Sequence, residues 1–193
     1  MNKITAVVLD TETTGLRQPQ PIEVGYLALQ ELNTYVMKPE NIELITEKHF
    51  TFNERFKPTK AIDKQAQIVH GISLNDLLDK PAFSMDKLNI PDSCEYMICH
   101  NVSYDWRVLG KPVETGLKKI CTLKLAKALW PGLDSYKLTS LMYEFFPDYH
   151  ERVTANAHGA LVDCRLTLAL LAKACLEFDL KTWADFYEIA GQK

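Results

Sequence analysis

The residues most suited to chemistry lie in three short polar segments, each of which follows an apolar run. The first is Asp10-Thr11-Glu12, directly after the mainly apolar residues 4–9. Residues i and i+2 of an extended chain point to the same side, so Asp10 and Glu12 bring two carboxylates together. A bound cation relieves their mutual repulsion. The pattern indicates a cation site, although Asp-x-Glu after a strand is more often a solvated turn.

The second and third segments add two acids and a histidine. Asp105 follows a short apolar run, and Asn101 is predicted to cap the helix that carries it. Asp163 interrupts the apolar face of the strongest predicted helix, residues 157–176, and His158 precedes it by five residues. Histidine titrates near neutral pH and therefore suits a general base. Each segment alone is more typical of a structural acid or a surface histidine.

The available ligands and the composition limit the kind of ion and the kind of protein. Oxygen ligands with no cysteine or paired histidine beside them favour Mg²⁺ or Mn²⁺ over zinc. The five cysteines include no C-x-x-C, and we interpret them as buried thiols of a reducing compartment, which predicts a cytoplasmic location. No apolar run approaches the roughly 20 residues that span a membrane. The net charge of −3 argues mildly against a nucleic-acid partner, but bound metal ions neutralise clustered acids.

The hydrophobic pattern predicts an α/β fold in which helices cover a mixed sheet, because three early strands are followed by alternating helices and strands. We expect one domain over residues 1–193, with a core at about 4–176 and a C-terminal helix at 179–190. The predicted strands cover residues 4–10, 22–29, 49–56, 96–99 and 117–121. The predicted helices cover residues 62–70, 73–78, 101–109, 122–129, 135–145, 157–176 and 183–190.

Taken together, the three motifs resemble those of the DEDDh exonucleases, a family with the ribonuclease-H-like fold. They are D-x-E at 10–12, H-N-x-x-x-D at 100–105 and H-x-x-x-x-D at 158–163. Asp-Thr-Glu-Thr-Thr-Gly-Leu at 10–16 and His-Gly-Ile at 70–72 also match, and the resemblance covers residues 4–176. One branch of the family has tyrosine four residues before the last aspartate, and the other has histidine five residues before it. Position 159 is glycine and position 158 is histidine, so the histidine branch is indicated.

The resemblance implies a metal-dependent 3′→5′ exonuclease with a mixed five-stranded ribonuclease-H-like sheet flanked by helices. Such an enzyme would release nucleoside 5′-monophosphates from the 3′ end of a single strand, in repair or proofreading. Residues 120–132 are most similar to DNA-directed bacterial members, which favours DNA over RNA. His158 would take a proton from the attacking water. Two Mg²⁺ ions, which Mn²⁺ can replace, would be held by Asp10, Glu12, Asp105 and Asp163.

The same resemblance assigns five substrate-binding positions. The backbone at Thr13 corresponds to the group that holds the terminal 3′-hydroxyl, and Leu16 corresponds to a wedge beside the terminal base. His70 and Asn101 correspond to positions near the terminal nucleotides. Tyr104 stands where the family has phenylalanine, and its ring is expected to stack on a base. Simple packing remains an alternative for Leu16 and Tyr104.

Two other functions remain open at this point. An RNA-directed exonuclease of the same family differs only in a few contacts to the 2′-hydroxyl. A non-catalytic domain that binds nucleic acid or docks on a polymerase is expected to have lost one of the five motif residues, yet all five are present. A polymerase or repair complex is a further expected partner, and the sequence does not predict the oligomeric state.

Two segments carry weaker expectations. The acidic excursion at residues 31–48 is longer than a tight hairpin needs, and it either contacts substrate or a partner or has no role. Lysines are densest at positions 118, 119, 124 and 127, where a solvated helix face is favoured over a track for phosphates.

Overall fold

The computed structural model describes residues 3–30, 32, 50–112, 115–147 and 159–192. Apart from Leu32, the excursion predicted at 31–48 lies outside these residues. The strands are β1 (Ala6–Thr13), β2 (Pro21–Leu29), β3 (Phe50–Arg55), β4 (Tyr96–Cys99), β5 (Lys118–Cys121) and β6 (Gly191–Gln192). In the described part of the chain they form one sheet in the order β3-β2-β1-β4-β5-β6.

The mixed α/β sheet expected from the sequence is confirmed, and it has six strands instead of five. The sixth strand pairs antiparallel with β5 through Ile120 and Gly191. Two residues are too few to produce a recognisable alternation of apolar and polar side chains, so the hydrophobic pattern gave no sign of β6.

Strand directions divide the sheet at β1. β1 pairs antiparallel with β2, and β2 pairs antiparallel with β3. On its other side β1 runs parallel to β4, which runs parallel to β5. β1 pairs with β4 only over Ala6–Val8, whereas it pairs with β2 as far as Thr13. The last residues of β1 therefore lie beyond the end of β4, where a cleft can open beside them.

Helices lie on both faces of the sheet. They are α1 (Lys64–His70), α2 (Val102–Val108), α3 (Thr122–Leu129), α4 (Leu138–Phe145), α5 (Ala160–Phe178) and α6 (Trp183–Ala190), with 3₁₀ turns at Leu74–Leu77 and Met85–Leu88. α1 ends at Gly71, whose φ of 72° closes the helix in the left-handed region. Among the described helices, none combines the length and apolar character needed to cross a membrane.

The alternation of side chains along β1 separates two hydrophobic cores. Val8 packs in the core that includes Leu168 of α5 and Phe186 of α6. Leu9, the next residue, packs on the opposite face with Val102 of α2. Even-numbered residues of β1 therefore face α5 and odd-numbered residues face α2. This alternation decides which helix each polar residue at the end of β1 can meet.

Candidate active site

Three carboxylates from two distant segments converge at the end of β1. Asp10 and Glu12 extend the α5-facing side of the strand, and Asp163 lies in the first turn of α5. Each of the three offers an oxygen, and these oxygens all lie within 4.8 Å of one another. Glu12 is 9% exposed, and the other two are partly exposed. The cluster is thus largely removed from water, although two of its three carboxylates keep some exposure.

Burial and mutual repulsion raise the pKa of two carboxyl groups of this cluster. Burial raises the pKa of Asp10 well above its usual value, with further contributions from Asp105 and Asp163. Burial, and then Asp163 and Glu23, raise the pKa of Glu12 to about 8. A divalent cation relieves both the repulsion and the desolvation. Because all the donors are carboxylate oxygens, the residues fit a hard divalent ion.

These raised pKa values predict that the metal-free protein loses stability as pH rises. When the pKa of a carboxyl group is higher in the folded than in the unfolded chain, the group favours the folded state most strongly below its unfolded pKa. This contribution to stability is lost as pH rises towards the folded pKa. For Glu12 this window extends from 4.5 to about 8, and for Asp105 from 3.8 to about 7. We expect Tm in EDTA to fall from about pH 5 to about pH 8, and excess Mg²⁺ to flatten the curve. A curve in EDTA that is equally flat for wild type and Glu12→Gln would contradict the assignment.

The fourth carboxylate, Asp105, lies next to the trio without joining it. It is 3% exposed and lies in α2. Its Oδ1 accepts a hydrogen bond of 2.8 Å from the hydroxyl of Thr11, an odd-numbered β1 residue that faces α2. Burial raises the pKa of Asp105 to about 7, although the Thr11 hydrogen bond opposes this. Thr11 was not singled out from the sequence, and it is the residue that orients Asp105.

The contact that brings Asp163 to β1 depends on a glycine in β2. Gly25 pairs with Asp10 across the strands. A Cβ at Gly25 would lie 2.6 Å from the backbone nitrogen of Leu161 and 2.8 Å from the carbonyl carbon of Ala160. Only glycine therefore lets the first turn of α5 pack directly on the sheet. The sequence analysis did not single out Gly25, although a glycine inside a strand often marks such a close approach.

Substitution Gly25→Ala is therefore expected to push α5 away from β2 and to separate Asp163 from Asp10. We expect the affinity for Mn²⁺ and the kcat/KM on a single strand to fall by roughly tenfold or more. Overpacking costs about 1–3 kcal/mol of stability, so a control for stability alone is needed. Gly110→Ala provides it, because Gly110 has a φ of +85° but open space around it. Equal losses of metal affinity in both variants would contradict the role of Gly25.

The turn after β1 presents Leu16 to solvent. Its residue Gly15 has a φ of 138°, and the side chain of Asp63 packs where a Cβ would stand. The backbone N–H of Asp63 donates to the carbonyl of Thr14 at 2.8 Å, which joins this turn to the start of α1. Leu16 is 78% exposed. Packing in the core, the alternative left open for Leu16, is therefore wrong.

The predicted capping role of Asn101 is also wrong. Asn101 occupies the N-cap position of α2, but its side chain makes no cap hydrogen bond. Its backbone has φ 78° and ψ 51°, in the left-handed region, whereas a capping residue normally has an extended backbone.

His70 is the last residue of α1. Nδ1 of its ring accepts a hydrogen bond of 3.0 Å from the backbone N–H of Ile72, two residues later in the chain. That hydrogen bond fixes the tautomer and orientation of the ring.

Tyr104 makes contacts that phenylalanine could not. Its hydroxyl oxygen lies 2.7 Å from Oγ1 of Thr13 and donates to the carbonyl of Gly15 at 3.3 Å. The guanidinium of Arg107 lies 5.3 Å from the centre of the ring. The hydroxyl thus joins α2 to the turn after β1. Stacking of a base on the ring stays a prediction.

Two members of the lysine cluster, Lys118 and Lys119, lie on opposite faces of the sheet. The ammonium of Lys118 lies 5.0 Å from the ring centre of Tyr96, which belongs to the hydrophobic core on the α5 side of the sheet. The ammonium of Lys119 lies 4.8 Å from the ring centre of Trp106, which packs on the opposite face of the sheet. These positions favour separate packing roles over a continuous track for phosphates.

His158 lies outside the described residues, so its side chain has no assigned position. The residue that follows it, Gly159, is the N-cap of α5. The carbonyl of Gly159 accepts hydrogen bonds from the backbone N–H groups of Val162 at 2.8 Å and Asp163 at 3.0 Å. The chain therefore enters α5 one helical turn from Asp163.

A carboxylate cluster at the end of the central strand β1, in a mixed sheet covered by helices, is typical of nucleases of the ribonuclease-H-like class. Residues 7–171 match the exonuclease family RNase_T. The protein belongs to this exonuclease family, and its enzyme class is that of a 3′→5′ exonuclease. The family depends on divalent metal ions, for which the acidic cluster supplies the donors. The resemblance stated from the motifs is thereby confirmed.

Individual relatives agree with this assignment. The chain is 32% identical over 184 residues to DNA polymerase III subunit epsilon of Buchnera aphidicola, covering 86% of this chain and 70% of the relative. It is 31% identical over 169 residues to exodeoxyribonuclease 10 of Escherichia coli K12, covering 85% of this chain and 66% of the relative. The solved structure of exonuclease X with 5′-overhanging duplex DNA superimposes with a TM-score of 0.68 at 26% identity, covering 96% of this chain and 99% of that one.

Proposed function

We propose that the protein removes nucleoside 5′-monophosphates one at a time from the 3′ end of single-stranded DNA, in repair or proofreading. The observation that carries the proposal is the convergence of Asp10, Glu12 and Asp163, whose carboxylate oxygens lie within 4.8 Å of one another. DNA is favoured because one relative is an exodeoxyribonuclease and exonuclease X was solved with an overhanging DNA duplex.

Two Mg²⁺ ions, replaceable by Mn²⁺, are the metal ions proposed for the site. Asp10, Glu12 and Asp163 would hold one of them, and Asp10 and Asp105 would share the other. When bound, the ions lower the pKa of the attacking water and neutralise charge on the phosphate and the leaving oxygen. Thr11 keeps the Asp105 carboxylate oriented throughout, because its hydroxyl occupies one oxygen.

His158 is proposed to accept the proton of the attacking water. The water oxygen forms a bond to the terminal phosphorus while the bond from phosphorus to the 3′-oxygen of the preceding nucleotide breaks. The leaving 3′-oxygen takes a proton from solvent and His158 returns its proton to solvent, so the products are a nucleoside 5′-monophosphate and a strand with a new 3′-hydroxyl. Support for His158 comes from the sequence, because it immediately precedes Gly159, the N-cap residue of the helix that carries Asp163.

The substrate positions are proposed on the turn after β1 and on the residues around it. The backbone at Thr13 would hold the terminal 3′-hydroxyl. The exposed side chain of Leu16 would wedge beside the terminal base. Tyr104, which contacts Thr13 directly, would offer the ring on which a base stacks. His70 and Asn101 would lie near the terminal nucleotides.

The proposal is tested with 5′-labelled single strands of DNA and RNA of one sequence, incubated with Mg²⁺ or with EDTA. We expect a ladder shortening from the 3′ end on DNA, dependent on Mg²⁺ and slower on RNA. Faster digestion of RNA would replace DNA by RNA as the substrate class. No digestion of either polymer with Mg²⁺ or Mn²⁺ would reject catalysis and leave the non-catalytic docking domain.

The cellular context is also part of the proposal. Similarity to subunits of DNA polymerase III supports a polymerase or repair complex as a partner. All five cysteines are free thiols, and four of them are buried, which supports a reducing compartment such as the cytoplasm. A single domain over residues 1–193 is proposed because one sheet includes both β1 and the C-terminal β6.

A further inference from the structure

We propose that Glu23 is a positioning residue of the metal site, which holds the first turn of α5 and, through that turn, Asp163. The inference rests on the proposed function and deepens it, because it assigns a role to a residue outside the carboxylate trio. Glu23 lies in β2, opposite Glu12 on one side and opposite Arg55 on the other. It is only 4% exposed.

Both oxygens of the Glu23 carboxylate are engaged. Oε1 accepts a hydrogen bond of 3.1 Å from the backbone N–H of Ala160, the first residue of α5. Oε2 accepts a hydrogen bond of 2.8 Å from Nε of Arg55, which is also an ion pair. One buried side chain therefore joins β2 and β3 to the start of the helix that carries Asp163.

The start of α5 lacks the acceptor that a helix normally supplies for itself. The N-cap residue is Gly159, which has no side chain to accept from the first backbone N–H groups. The carboxylate of Glu23 takes this role from another strand, and its negative charge also suits the positive end of the helix. Asp163 lies in the same turn, because its N–H donates to the carbonyl of Gly159. A shift of Ala160 therefore moves Asp163 with it.

A carboxylate is a costly way to supply one acceptor at this place. Glu23 lies opposite Glu12 and contributes to the rise in the pKa of Glu12. Arg55 offsets the charge from the solvent side, since 42% of its side chain is exposed. Charge and hydrogen bond are therefore separable explanations for Glu23, and the variants below distinguish them.

The main test is calorimetric binding of Mn²⁺ to the substrate-free protein, together with the initial rate of strand digestion. Glu23→Ala removes the acceptor, and we expect metal affinity to fall roughly 10- to 100-fold, as for other residues that orient metal ligands. In Glu23→Gln the amide oxygen can still accept from Ala160, because Arg55 can turn to water. We expect its metal affinity to stay within about twofold of wild type. Equal losses in the two variants would show a charge effect and overturn the positioning role.

A second variant removes only the donor. Ala160→Pro deletes the N–H at the first helical position, where proline is well tolerated, and Gly159 already has the extended backbone that precedes proline. Glu23 stays intact, so we expect a loss of metal affinity similar to that of Glu23→Ala. This variant keeps the test decisive if Glu23→Ala does not fold. Wild-type affinity in Ala160→Pro would overturn the inference.

The matched control lies near the other end of the same helix. Glu177 accepts from Nε1 of Trp130 at 2.7 Å and pairs with Lys173 at 2.6 Å, so it too joins an N–H donor and a cation. We expect Glu177→Ala to keep wild-type metal affinity, and a loss equal to that of Glu23→Ala would contradict positioning. If wild type itself neither binds Mn²⁺ nor digests a strand, the proposed function fails. If wild type binds Mn²⁺ and digests a strand, but Glu23→Ala and Ala160→Pro behave as wild type, the inference alone fails.

Discussion

Asp10→Asn should abolish strand digestion and yet raise the melting temperature of the metal-free protein. Asp10 belongs to the carboxylate trio, and burial and its neighbours raise its pKa well above the usual value. Asparagine keeps the shape and removes the charge, which relieves repulsion in the absence of metal. The loss of metal binding should lower the rate by at least about 10³-fold, since a bound metal supplies several kcal/mol of stabilisation to the transition state.

The two effects of Asp10→Asn are measured separately. Thermal unfolding in EDTA reports the gain in stability, at about 2–4 °C for each kcal/mol in a chain of this length. Addition of Mg²⁺ should raise Tm for wild type and not for the variant. Asp92→Asn, an exposed acid away from the cluster, serves as the control and should change neither quantity. A variant that digests DNA at a rate near wild type, or that melts lower in EDTA, would contradict the account.

His158→Ala should slow hydrolysis by about 10²–10⁴-fold while leaving strand binding nearly unchanged. The proposed role of His158 is to accept a proton, which stabilises the transition state and not the bound strand. Single-turnover rates measure the chemical step, and equilibrium binding of a labelled strand in EDTA measures affinity. Added imidazole should restore part of the rate in His158→Ala but none in Asp10→Asn. Equal losses of rate and binding would show that His158 acts in another way.

The local part of the site follows directly from the sequence. Asp10 and Glu12 share one side because strand side chains alternate, and this needs no knowledge of the rest of the fold. α3 has the bounds predicted from its hydrophobic pattern, and so does α6 at 183–190, whereas the wider range of 179–190 for the C-terminal helix is wrong. These two helix predictions are correct for the same reason as the pairing of Asp10 with Glu12, because short-range periodicity determines which face of an element is buried.

The remaining part depends on contacts between residues far apart in the chain. Asp163 reaches Asp10 only because α5 packs on the backbone of Gly25, and the first turn of α5 donates the N–H of Ala160 to Glu23. A glycine and a glutamate inside the buried strand β2 were signals for both contacts, because strands disfavour glycine and buried positions disfavour an unpaired acid. At Asn101 the general capping preference gave the wrong result, because the turn after β4 requires a left-handed backbone.

The most direct test of the metal site is calorimetric titration of the metal-free protein with Mn²⁺ near neutral pH, in buffers with different heats of ionisation. The pKa of Glu12 is raised to about 8, so this residue holds a proton that a metal ion must displace. The account predicts that wild type binds Mn²⁺ with release of protons, seen as a heat that depends on the buffer, and that Asp10→Asn does not bind. Binding of Mn²⁺ by Asp10→Asn with wild-type affinity would contradict it.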